Sequence, residues 1–210
     1  MIAQRMIIIE EDDAARTRLS ALFKEAGFSV LAEAADPIDG YNLSMQFHPD
    51  IVVVDLGLKY DGPALVQSIQ TIPNPPKILM LLKYEDEFTI LRSLNAGANG
   101  YCLARTPSEL VSAASKDIAH GASYICPGLS KIILDLMGTV ESLGMMSPIT
   151  ARETEILSLM AEAKSYDEIA LEMYCSIHEI KREIAVTLTN LAETPETHIT
   201  QALIHAAKVQ

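Results

Sequence analysis

Ile7-Ile8-Ile9-Glu10-Glu11-Asp12-Asp13 and, further on, Ile51-Val52-Val53-Val54-Asp55-Leu56-Gly57 decide the fold. Each is a short β-branched apolar run that ends in carboxylate. Strands buried on both faces of a parallel sheet read this way, because neither face meets water. Ligands of open α/β sheets bind beyond the carboxyl ends of the strands. Carboxylates gathered there make an oxygen-rich pocket suited to Mg²⁺. A single carboxylate beside such a cation is able to accept a phosphoryl group.

Outward from these runs, strand and helix signals alternate through the first 120 or so residues. Met6–Glu10, Ser29–Glu33, Ile51–Val54, Lys77–Leu82 and Gly100–Leu103 read as strands. Ala14–Ala26, Pro37–Phe47, Ala64–Ile69, Glu85–Asn95 and Ser108–His120 read as amphipathic helices. The alternation predicts an α/β fold, a doubly wound five-strand parallel sheet. Gly27 and Gly97 sit where helices should stop. Thr106-Pro107-Ser108-Glu109 reads as a capping box.

This layout resembles the flavodoxin-like receiver domain of bacterial response regulators. The resemblance implies that Glu10 and Glu11 are the family's acidic pair, with a slip to Glu11/Asp12 left open, and that Asp55 is the phosphoacceptor. It implies a Mg²⁺-like pocket of Glu10, Glu11, Asp55 and Gly57. Two positions depart from the family. Its hydroxyl residue after the fourth strand is Leu82 here, and its lysine after the fifth is Ala104. Transfer needs positive charge and hydrogen bonds where the phosphoryl oxygens develop charge, and neither residue supplies them. Lys83 and Arg105 are each one position off, and strand alternation points them elsewhere. Lys59 is a candidate to lend the pocket charge or to serve as counter-ion to Asp55. Tyr101 stands at the family's aromatic switch position; with Leu82 opposite, it reads as a half-buried strand aromatic.

After Gly121 the alternation ends. Cys126-Pro127-Gly128 opens a helical stretch, Leu129–Met137, and Gly138 to Ser147 reads as a linker. Thr150–Glu153, Ser165–Glu168 and Ser176–Glu179 are capping boxes, and Thr194-Pro195-Glu196 caps a fourth helix. Residues 1–121 therefore read as a receiver-like domain, 122–147 as linker helix and linker, and 148–210 as a small all-α helix-turn-helix domain. Ile149 to Leu157, Glu168 to Met173 and Ser176 to Lys181 resemble the LuxR-type DNA-binding domain of NarL/FixJ-type response regulators. The resemblance implies that Ile177–Leu191 enters the major groove. His178, Lys181, Arg182, Thr187, Thr189 and Asn190 are its candidate DNA contacts.

Charge weighs against that last implication. The chain has 210 residues and a formal net charge of −12. The last 64 residues hold five Lys/Arg and ten Asp/Glu, so neither part has the basic excess of a typical nucleic-acid binder. Useful DNA affinity takes roughly 6–10 neutralised phosphates. Uncharged Thr187, Thr189 and Asn190 would add hydrogen bonds to phosphate, and a dimer would double the count.

Three scattered cysteines, Cys102, Cys126 and Cys175, fit reduced cytosolic thiols. No run approaches the roughly 18 apolar residues of a membrane span, and the N-terminus lacks a signal-peptide pattern. No catalytic triad, phosphate-binding loop or dinucleotide fingerprint is present. The sequence thus predicts a cytoplasmic, non-enzymatic, atypical response regulator with a pseudo-receiver. It would bind promoter DNA as a homodimer, largely without aspartyl phosphorylation. No cofactor is required on this reading, and Mg²⁺ would bind weakly. Its input is a sensor kinase, another regulatory protein or a small ligand. The competing reading is a protein–protein interaction module whose helix-turn-helix has lost DNA binding.

Overall fold

The computed structural model describes residues 3–55, 57, 59–83, 86–142 and 144–194. β1 (Arg5–Glu10), β2 (Ser29–Ala34), β3 (Ile51–Asp55), β4 (Lys77–Leu82) and β5 (Gly100–Leu103) alternate with α1 (Asp13–Glu25), α2 (Pro37–Phe47), α3 (Gly62–Gln70), α4 (Glu87–Leu94) and α5 (Ser108–Ala119). Every strand pairing is parallel. The central strands are apolar and buried along their length, as expected when helices cover both faces. α1 touches α5, while α2, α3 and α4 touch in series, so each face of the sheet has its own helical layer.

The sheet has six strands rather than the five expected. β6 (Tyr124–Ile125) pairs with β5 and forms the edge of the order β2-β1-β3-β4-β5-β6. Two residues carry no readable period, which is why sequence alone misses it. The next helix also outruns expectation. α6 spans Pro127–Ser142 and passes straight through Gly138. Burial of Leu136, Met137 and Val140 beside that glycine outweighs its helix penalty of about 1 kcal/mol. The stop falls at Gly144 instead, at φ 72°.

The C-terminal unit holds α7 (Ala151–Ala161), α8 (Tyr166–Glu172) and α9 (Ile177–Glu193). The capping boxes at Thr150, Ser165 and Ser176 all form in full. The box expected at Thr106 does not. Pro107 itself takes the N-cap position of α5, with no side-chain cap, so Thr106 stands one residue too early to reach the third helical N–H. The expected fourth helix, opened by Thr194-Pro195-Glu196, lies outside the described residues. No helix among the described residues is long and apolar enough to cross a membrane.

Tyr101 is fully buried, not half-buried. Its hydroxyl accepts from the Ala98 N–H at 2.8 Å and donates to the Ser93 carbonyl at 2.9 Å, tying β5 to the end of α4. Tyr101→Phe keeps the ring but strands a buried N–H and a carbonyl. The expected loss is about 1–3 kcal/mol, measured as a lower urea midpoint with unchanged slope.

Candidate functional site

Parallel pairing of β1 with β3 sets Glu10 directly beside Asp55. Both are buried, Glu10 completely and Asp55 to 6% exposure. Glu10 Oε1 accepts the Asp12 N–H at 2.8 Å and the Lys83 ammonium at 2.7 Å. The same ammonium lies 3.6 Å from Asp55 Oδ1. Glu11 turns to the following loop, accepting the Gly57 N–H at 3.0 Å. Asp12 caps α1 through the Ala15 N–H, so it serves the helix and not the pocket.

Lys83 therefore does reach the carboxylates, contrary to the strand-alternation argument. β4 ends at Leu82. Lys83 sits in the bend beyond it, where alternation no longer fixes direction and a four-carbon stem is free to swing. Lys59, the candidate counter-ion, instead lies 4.8 Å over the ring of Tyr60. Arg105 lies over the first turn of α6 at Gly128. Leu82 is packed in the core. Ala104 borders a cavity of about 600 Å³ between α1 and α5, with Asp55 and Lys83 on its wall.

The electrostatics follow from burial. Desolvation, reinforced by hydrogen bonding and charge from Glu10, pushes the Asp55 carboxyl up to about 8. Lys83, though partly desolvated, is held above the usual lysine range by Glu10 and Asp55. Glu10 Oε2 and Asp55 Oδ1 are buried with no donor from the protein. One proton shared between the two carboxyls satisfies both, as expected for adjacent buried acids.

The fold family implies Mg²⁺ at this place, and the residues do not fit it. Lys83 holds the Glu10 and Asp55 oxygens that a divalent cation would take. The Gly57 carbonyl accepts the Tyr60 N–H in a turn. Among the described residues, no group of three or more His, Cys, Asp or Glu is arranged to hold a metal ion. Mg²⁺ demands near-octahedral oxygen, which this set does not offer.

The candidate DNA residues lie on α9, and most are already engaged. Lys181 bonds Asp117 of α5 at 3.0 Å and stands over the ring of Tyr166. Thr187 is 1% exposed, its hydroxyl turned onto the Glu183 carbonyl, so it is no surface contact. Asn190 donates to Glu153 inside the helical unit. Thr189 bonds the Ala185 carbonyl. Arg182 is exposed, 3.6 Å from Glu183, and His178 is exposed. Two further residues, unmarked by any sequence motif, hold α9 and α8 on the α/β unit. The Asn95 amide faces the carbonyls of Leu191, Ala192 and Thr194, and turned with its nitrogen towards them it donates to this helix end. The Tyr166 hydroxyl donates to the Ser123 carbonyl at 3.3 Å. Such contacts join residues far apart in sequence, so only the fold reveals them.

Comparison with known proteins agrees with this fold. The response regulator receiver domain family matches residues 6–114. The oxygen regulatory protein NreC of Staphylococcus carnosus is 27% identical, over 95% of this chain and 90% of its own. The transcriptional regulatory protein LiaR of Bacillus subtilis is 27% identical, over 96% of each chain. A LuxR-family two-component response regulator from Aurantimonas matches at TM-score 0.59 and 26% identity, over 64% of this chain and 97% of that one. RcsB of Salmonella typhimurium shares the fold across both units, at TM-score 0.59 and 17% identity, over 96% of this chain and 98% of that one. With a receiver domain on a six-stranded parallel sheet and a capped helical unit behind it, the chain belongs to the response regulators of the NarL/LuxR type.

Proposed function

We propose that this response regulator is a DNA-binding transcription regulator whose receiver works without aspartyl phosphorylation. The observation that carries the reading is the Lys83 ammonium seated on Glu10 and Asp55. A fixed cation takes the place of a bound metal. A proton shared with Glu10 leaves Asp55 a poor nucleophile at neutral pH. Leu82 and Ala104 offer no groups to stabilise a transferring phosphoryl. The input is then a kinase-independent partner or ligand, acting in the cytoplasm, and Mg²⁺ is not needed.

The output reading rests on the complete helix-turn-helix with its caps, and on relatives such as LiaR, named a transcriptional regulatory protein. RcsB has been seen as dimers bound to DNA, and a homodimer is proposed here too. The docked state hides Lys181, so α9 must leave α5 and α4 to enter a groove. The competing interaction-module reading draws support from the acidic helical unit and from Thr187 and Asn190 being engaged within it.

The test uses the full chain with pooled genomic fragments across a salt series, before and after treatment with acetyl phosphate and Mg²⁺. The expected result is selective retention with a salt slope that Lys181→Ala flattens, unchanged by the phosphodonor. A stable acyl phosphate lost in Asp55→Asn would overturn the phosphorylation-independent part. No retention even at low salt would favour the interaction module.

A further inference from the structure

Cys126 follows β6 and opens α6. Its N–H donates to the Tyr101 carbonyl at 3.0 Å, the bond that closes the last parallel pair, Tyr101↔Ile125. The next residue of each strand is a cysteine, and the Cys102 and Cys126 side chains meet there. Neighbouring strands lie about 4.8 Å apart, inside the Cα spacing that disulfides span, about 4.4–6.8 Å. Both thiols are free and buried.

The Cys126 sulfur is surrounded by donors. It accepts the Leu103 N–H at 3.3 Å. The Cys102 thiol, the Thr106 hydroxyl and the Leu129 N–H stand around it as well. Leu129 is the third residue of α6, so the sulfur stands where the oxygen of a Ser or Asp cap would stand. The positive end of a 16-residue helix points at it. These donors, Cys102 first, outweigh burial and bring the Cys126 thiol down to about 6. The bond to Cys126, with burial, holds the Cys102 proton in place. The pair is thus one thiolate and one thiol in contact, the arrangement that thiol oxidation requires.

We propose that Cys102 and Cys126 are a dithiol site that a hydroperoxide oxidises to a disulfide. The Cys126 thiolate attacks the O–O bond; an S–O bond forms, the O–O bond breaks, and the alkoxide or hydroxide leaves with a proton from water. The Cys102 sulfur then attacks Cys126; the S–S bond forms, the S–O bond breaks, and the Cys102 proton leaves with the hydroxide as water. One peroxide consumes both thiols and yields one disulfide, water and the alcohol or a second water. β6 is a two-residue edge strand paired on one side, so a small local opening admits the peroxide. Oxidation removes the thiolate cap from α6, the helix that leads from the sheet into α7.

The test uses the full chain carrying Cys175→Ser, which removes the remaining thiol, treated with hydrogen peroxide at neutral pH. The expected result is an intact mass lower by two hydrogens, reversed by a thiol reductant, with a Cys102–Cys126 linked peptide. Cys126→Ser, whose hydroxyl preserves the helix cap, should keep the circular dichroism of the parent and lose the mass change. Cys102→Ser should instead accumulate a sulfenic acid on Cys126, trapped by dimedone. An unchanged mass, oxygen addition without the linked peptide, or a link that forms only in urea would overturn the proposal.

Discussion

Replacing Lys83 with methionine is expected to destabilise the receiver domain by about 3–5 kcal/mol, the cost of leaving a buried charge without its partner. Methionine fills a similar volume, so the loss is electrostatic and not a cavity effect. Glu10 is completely buried, and Lys83 is its sole side-chain cation among the described residues; without it, one carboxyl of the Glu10–Asp55 pair must bind another proton or recruit another cation. Two consequences separate this from ordinary core damage. Adding Glu10→Gln to Lys83→Met should recover most of the loss, because removing both members of a buried pair is often near neutral. Lys83→Arg, which restores a cation at the same place, should keep most of the stability that Lys83→Met loses. An unchanged melting temperature in Lys83→Met would refute the account of Lys83 as resident cation.

Asp55→Asn is expected to act in the opposite direction, and its effect should grow with pH. The Asp55 carboxyl is pushed up to about 8 in the folded chain, against about 3.9 when unfolded. A raised carboxyl favours the folded state fully below the unfolded value, and that stability drains away as pH rises towards the folded one. Between about pH 4 and pH 8 the unfolded chain has already lost the proton that the folded chain retains. The slope is about 1.4 kcal/mol per pH unit at most. Asparagine has no proton to lose, so this part of the slope should vanish. Unfolding free energies of parent and variant, from urea titrations, should lie close together near pH 5 and diverge by a few kcal/mol near pH 8. Parallel profiles would show that Asp55 is ionised in the folded protein, and a reactive acceptor would then be back in contention.

What could be read from the sequence was local. Ile51–Val54 and Ile7–Ile9 announce buried strands by composition alone, and Ser165-Tyr166-Asp167-Glu168 announces a helix start through two reciprocal hydrogen bonds within four residues. β6 was too short to show a period, and α6 crossed Gly138 because its buried side chains had partners that only the fold supplies. Lys83 was misread for a related reason: alternation governs a strand, and Lys83 lies just past the end of one. At Thr106 the motif was intact but one position early, since Pro107 took the cap. The roles of Asn95 and Asp117 are long-range and leave no pattern in the chain. The assignment of Thr187 to the DNA face failed on helix geometry, because its side chain falls on the same side as Ile180, Ile184 and Leu191, all buried.

The bond between Lys181 and Asp117 gives the acidity of this protein a use. An aspartate on α5 offers the ammonium what a DNA phosphate would offer, an anionic oxygen at 3.0 Å. The receiver in this sense impersonates DNA to its own output helix. Because the impostor is tethered, its effective concentration is on the order of millimolar, and any operator must outbid it. Apparent affinity then scales with the small fraction of molecules whose helix has come away. Weak binding to random DNA and silence in the docked state would share one cause. On the DNA-binding reading proposed above, whatever loosens α9 from α5, by any route, would be the activating signal.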